Sequence, residues 1–121
     1  MLKWIITTAI VLAAPVAAQA QDVEAGKGVF KKCQACHQLG KNALGHNLQC
    51  VIGRKAGSVA DFAGYSEAMK IAGFNWEDEK FLAYIENPKG VVAGNKMIFA
   101  GIKDATERQN LLAYLKTECP K

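Results

Sequence analysis

Five residues concentrate the chemistry of this chain. Cys33-Gln34-Ala35-Cys36-His37 places two thiols and an imidazole together, while the other two cysteines, Cys50 and Cys119, stand far from it and from each other. Such a set suits a metal site, a redox dithiol, or a tether for a prosthetic group. C-x-x-C-H is the attachment signature of c-type haem. Two thiols separated by two residues reach the two vinyl groups on one side of a haem and form thioethers, and the next residue, His37, is held beside the iron. A thioredoxin-like dithiol sits at a helix N-terminus in a βαβ setting, where the helix dipole lowers a thiol pKa. Here the motif follows a helical stretch and no βαβ pattern surrounds it. A structural zinc site calls for a second closely spaced pair, whereas Cys50, Cys119 and His46 are each isolated. Four purely structural cysteines leave His37 unexplained. One haem c per chain is the expectation.

The elements that must position this motif read as helices joined by long connections. Residues 22–34 have an acidic start, with Val29 and Phe30 placed to pack, and predict a short helix that ends near the motif. Residues 39–64 are glycine-rich and read as loops. Ser66 as a cap and Gly73 as a stop bracket a short helix over 66–72. A further helix is expected to start after Asn75 as its cap, with Asp78 three residues on, to carry Phe81, Leu82, Tyr84 and Ile85, and to end at Pro88. KGVVAGNKMIFAG, residues 89–101, is too glycine-broken for a helix and reads as a functional loop around Met97. Asp104 and Glu107 form a cap-like pair before Leu111, Leu112, Tyr114 and Leu115, a helical face that runs to about Pro120. The fold class is all-α: about four short helices and long loops in one small domain. Irregular connections in so short a chain need something besides side chains to fill the core, and the haem supplies it.

The first twenty residues, MLKWIITTAIVLAAPVAAQA, combine Lys3, an apolar run and Ala18-Gln19-Ala20. That is the pattern of a secretory signal peptide cleaved after Ala20, leaving residues 21–121 as the mature domain. The apolar run is shorter than the roughly 20 residues that span a bilayer, so no permanent membrane anchor is expected. The 121-residue chain carries a formal charge of +4, mostly from lysine, with Arg54 and Arg108 its only arginines. Mild basicity suits acidic partners. Nucleic acid would require a denser basic patch interleaved with aromatics, which is absent from the sequence.

Beyond the motif, GKGVFKKCQACH, GHNLQCVIGRKAG, GYSEAMK, Trp76, YIENPK, GNKMIFAG and LLAYLK together resemble a class I cytochrome c of the mitochondrial type, as found in bacterial respiratory and photosynthetic chains. The resemblance covers residues 22–117, and YIENPK followed by GNKMIFAG is its most discriminating part. It implies that Cys33 and Cys36 carry the haem and that His37 and Met97 are the axial iron ligands. A neutral thioether favours ferrous iron and raises the reduction potential. With both axial positions filled, an electron carrier is expected rather than a peroxidase-like or gas-binding haem protein, which needs an open iron. By the same resemblance Arg54, Tyr65 and Trp76 would hold the haem propionates, Tyr84 would point its hydroxyl at Met97, and Phe30, Gly26, Leu111 and Tyr114 would form the contact between first and last helices.

Three departures stand out. Gly45-His46-Asn47-Leu48 replaces the family's Gly-Pro-Asn-Leu, whose proline carbonyl accepts from the ligating histidine; the His46 carbonyl is the expected substitute, with its φ no longer locked by a ring. Ala93 stands where a proline is usual, and Asn95 replaces a threonine while keeping a donor for a propionate. Cys50 occupies a position usually held by glycine. In the resembling fold its loop packs under the last helix, which implies a Cys50–Cys119 disulfide, in keeping with an even cysteine count in an oxidising compartment.

Lys31, Lys32, Lys41, Lys89, Lys96 and Lys103 fall in stretches that surround the haem edge in the resembling fold. They are expected to steer a monomeric periplasmic carrier onto the acidic faces of redox proteins, namely a cytochrome bc complex, a terminal oxidase, a reaction centre or a periplasmic dehydrogenase.

Overall fold

The computed structural model describes residues 8–12 and 21–121. Of the expected signal peptide only 8–12 are among them, without regular secondary structure; the rest lies outside the described residues. Five helices follow: α1 (Val23–Phe30), α2 (Glu67–Lys70), α3 (Asp78–Glu86), α4 (Pro88–Val91) and α5 (Ala105–Thr117). Among the described residues there is no strand, only an isolated bridge between Lys55 and Asn75. No helix among them is long and apolar enough to cross a membrane.

Local chemistry sets most helix starts. Asp22, Ser66 and Asp104 each accept a hydrogen bond from the backbone N–H three residues on, at 3.0, 3.0 and 2.9 Å, which satisfies a donor that the first helical turn leaves unpaired. Three expectations are corrected. Asn75 does not cap α3: it is held in the bridge to Lys55, and the cap position falls to Glu77, whose side chain makes no capping bond. The stretch expected to be loop from Lys89 onward begins inside α4. Pro88 ends α3 and also opens α4 at a position where no N–H is needed, with Asn87 Oδ1 accepting from Gly90. The first helix is also shorter than expected. After Phe30 the chain continues as tight turns, not as helix, through Cys36.

The core is organised by α1 packed across α5. Gly26 makes the approach possible, since a Cβ there would collide with the Asn110 carbonyl. Asn110 Oδ1 accepts from the backbone N–H of Asp22 at 3.0 Å, and the Phe30 and Tyr114 rings meet with centroids 5.5 Å apart. Leu111, Leu112 and Leu115 of α5 are buried with Phe81 and Ile85 of α3. The long connection between α1 and α2 is tied to this core by backbone bonds such as Gly53 N–H to Trp76 O at 2.8 Å. Cys50 and Cys119 are joined as a disulfide, Cα–Cα 4.7 Å, which fastens that connection to the end of α5.

Candidate cofactor site

The turns after α1 present the motif. His37 N–H donates to Cys33 O at 2.8 Å, which winds the two cysteines and the histidine into one compact turn. Cys33 and Cys36 are free thiols. Both line, with His37, a mostly apolar cleft of about 900 Å³ with its open mouth included. Leu48, Val51, Phe81, Ile85, Leu111 and Leu115 form apolar wall, and Met97, Met69, Tyr84 and Trp76 line the same space.

His37 is oriented by the loop that follows. Its Nδ1–H donates to the His46 carbonyl at 2.7 Å; because a carbonyl can only accept, the proton sits on Nδ1 and Nε2 keeps its lone pair. Burial lowers the His37 pKa, against the opposing pull of that carbonyl, so the ring is neutral at neutral pH. Gly45 is required beside it, since a Cβ would collide with the imidazole.

A web of side chains replaces the stiffness of the missing proline. Asn47 Oδ1 accepts from the N–H groups of Gly40 and Gln49, each at 2.8 Å, and Asn42 Oδ1 accepts from Asn47 N–H at 2.8 Å. Arg54 donates to the carbonyls of Asn47 at 2.7 Å and Gln49 at 2.6 Å. The His46 ring packs among His37, Phe62 and Tyr65. Burial first, then the neighbouring His37 and Arg54, push its pKa down to about 4, so it too is neutral.

On the methionine side, the Tyr84 hydroxyl donates to Met97 Sδ at 3.8 Å. Burial raises the Tyr84 pKa to about 12, which keeps that hydroxyl protonated and able to donate. Asn95 departs from its expected role. Its Nδ2 hydrogens go to the carbonyls of Pro88 at 3.0 Å and Val92 at 2.8 Å, which leaves neither for a haem propionate.

The other expected residues divide. Trp76 lines the cleft and Tyr65 an adjoining hollow that shares His37, His46 and Met97 with it, the Tyr65 hydroxyl accepting from Val59 N–H at 3.2 Å. Arg54 lines neither: it stands behind His46 and braces the loop through the Asn47 and Gln49 carbonyls. All six of the lysines named above are exposed, but only Lys32 lines the cleft and only Lys96 the adjoining hollow that shares His37 and Met97 with it. Lys32 also pairs with Glu107 at 3.1 Å, and Lys89 is drawn to the Asn95 carbonyl. Sequence reasoning missed Met69 as wall, because a buried methionine on a short helix carries no local mark. It also missed Leu44 and Ile98, apolar side chains exposed at the mouth.

The alternatives fare worse on this geometry. Cys50 and Cys119 are bonded to each other and not gathered with the motif, and among the described residues no three of His, Cys, Asp and Glu cluster to hold a metal ion. Burial pushes the Cys33 thiol up to about 11, against a weaker opposing effect of Lys32, whereas a redox-active cysteine needs a lowered pKa. An apolar slot with two free thiols on one turn, a neutral imidazole with its Nε2 lone pair free, and a soft thioether fits a haem in donor type and in polarity.

Helices packed around such a slot, with C-x-x-C-H at its wall, define a class I c-type cytochrome. The family model described as cytochrome c matches residues 23–118, and the chain belongs to that family. It is 47% identical over 110 residues to cytochrome c2 of Blastochloris viridis, covering 88% of this chain and 86% of the relative. It is 48% identical over 97 residues to cytochrome c-550 of Nitrobacter winogradskyi, covering 78% and 88%. Among solved structures it is similar to cytochrome cH from Methylobacterium extorquens, with a TM-score of 0.76, 41% identity, and 79% of this chain and 98% of that one covered. The chain is thus a bacterial class I cytochrome c that carries covalent haem c and transfers single electrons; it is a carrier, not an enzyme.

Proposed function

We propose that Cys33 and Cys36 are the thioether attachment points and that His37 and Met97 are the axial ligands of a periplasmic shuttle. The carrying observation is that all four line one cleft, with His37 and Met97 each already oriented by a hydrogen bond. Cys33 and Cys36 would hold the haem covalently through their sulfurs, both being free thiols on the one turn. The bound haem supplies a one-electron couple at its iron. His37 offers Nε2 because His46 holds the proton on Nδ1. Tyr84 donates to the Met97 sulfur and so draws density from a ligand that already favours ferrous iron. The apolar walls keep water from the cleft, which limits reorganisation when the charge changes.

Export after cleavage at Ala20 would place the mature chain, residues 21–121, in the periplasm as a monomer, where thiols can pair as Cys50 and Cys119 do. Lys32 and Lys96 at the rim, supported by Lys31, Lys41, Lys89 and Lys103, would meet acidic faces on a cytochrome bc complex, a terminal oxidase, a reaction centre or a periplasmic dehydrogenase. The experiment is an absorption spectrum of the ferric holoprotein. Methionine ligation gives a weak red band that disappears in Met97→Ala, whereas a wild-type protein without the band would remove Met97 from the ligand set.

A further inference from the structure

Every polar group of Asn95 is engaged, and all of its bonds lie within the segment that leads to Met97. Nδ2 donates to the carbonyls of Pro88 at 3.0 Å and Val92 at 2.8 Å, and Oδ1 accepts from Met97 N–H at 2.8 Å. Its own backbone N–H donates to Val92 O at 3.2 Å, and its carbonyl accepts from Lys89 Nζ at 3.2 Å. The side chain is buried, with the residue only 6% exposed. By contrast, neighbouring Ala93, Gly94, Lys96 and Ile98 are exposed, and Gly94 has a left-handed backbone, φ +85°. The segment between α4 and Met97 therefore has one inward-facing polar anchor, and that anchor joins the carbonyl end of α4 directly to the backbone of the methionine.

We propose that Asn95 is the positioning residue for Met97, holding the sulfur in the cleft by tying the methionine N–H to the Pro88 and Val92 carbonyls. This rests on the reading of Met97 as an iron ligand. A thioether is a weak neutral donor, so its occupancy of the iron depends on how rarely the segment swings away. Buried amide hydrogen bonds contribute to that closed state and are expensive to leave unmade. Asn95→Leu fills the same space without the three side-chain bonds. Asn95→Ser keeps an oxygen that can accept from the N–H two residues on but gives up the double donation to α4.

The test is an imidazole titration of ferric holoprotein, followed by loss of the red methionine band. An outside ligand binds only when the sulfur leaves, so its affinity reports the open population. Asn95→Leu is expected to tighten imidazole binding by about tenfold or more, as loss of at least one ordinary buried hydrogen bond requires, and Asn95→Ser by a smaller factor. Wild-type affinity in the Leu variant overturns the proposal, even if that variant melts at a lower temperature. Should the Leu variant fail to assemble, wild-type affinity in the Ser variant overturns it. A wild-type protein that never shows the band refutes Met97 ligation, a different outcome from a band that is present and indifferent to Asn95.

Discussion

The Tyr84 hydroxyl donates to Met97 Sδ across 3.8 Å, from the buried face of α3 to a segment thirteen residues further along the chain. Removing that donor leaves the sulfur more electron-rich and a better partner for ferric iron. Tyr84→Phe is therefore expected to lower the reduction potential, by at most a few tens of millivolts for so long a hydrogen bond. Redox titration checks this, and a raised potential would contradict the direction.

His46 acts through its backbone. The bond to His37 Nδ1 comes from the His46 carbonyl, so His46→Ala should preserve the spectrum and the ligand set. Loss of the ring from its place against Phe62 and Tyr65 should reduce stability by about 1–2 kcal/mol. A changed ferric spectrum in this variant would instead make the imidazole a ligand.

The disulfide carries a separable backbone effect. Cys50 has φ +58°, the one non-glycine residue with positive φ among the described residues. Losing the bridge, which closes a separation of 69 residues, should destabilise the protein by about 2–4 kcal/mol. Because glycine relieves the left-handed backbone, Cys50→Gly should be more stable than Cys50→Ser by about 1 kcal/mol. Denaturant melts of the two variants and of Cys119→Ser decide it; equal stability of the two position-50 variants would show that no strain resides there.

Two glycines of α1 should respond in opposite ways. Gly26→Ala drives a methyl into the Asn110 carbonyl and should destabilise by at least about 2 kcal/mol as α1 is forced off α5. Gly28 faces open space, so Gly28→Ala should stabilise by up to about 1 kcal/mol through helix propensity. Thermal melts of the holoproteins report both.

Steering by the rim lysines predicts a salt-dependent rate with an acidic redox partner. Lys96→Gln should slow second-order electron transfer about twofold or more at low ionic strength, with the difference shrinking as salt rises. Lys116→Gln, at the end of α5 where the lysine pairs with Asp78, should leave the rate near wild type. Equal effects of the two would assign the attraction to net charge and not to the cleft rim.

Much of this protein was legible locally. C-x-x-C-H specifies its cofactor by bond reach alone, and Asp22, Ser66 and Asp104 announce helix starts because a short polar side chain can only satisfy N–H groups beside it in sequence. The same locality misplaces the start of α3. Asn75 is as good a cap as any in isolation, yet its backbone is paired with Lys55, twenty residues earlier. Pro88 marks a boundary, and only the structure shows a helix on both sides of it.

What the sequence determined by itself is the chemistry available: two thiols and an imidazole on one turn, a thioether in a glycine-rich segment, and an apolar face on α5. Tertiary structure alone decided how those groups are held. It turned the amide of Asn95 inward on its own segment and set Arg54 behind His46 and out of the cleft. The reason is physical. A hydrogen bond's partner is chosen by whichever complementary group long-range packing brings within reach, and residue types along the chain list the candidates without ranking them.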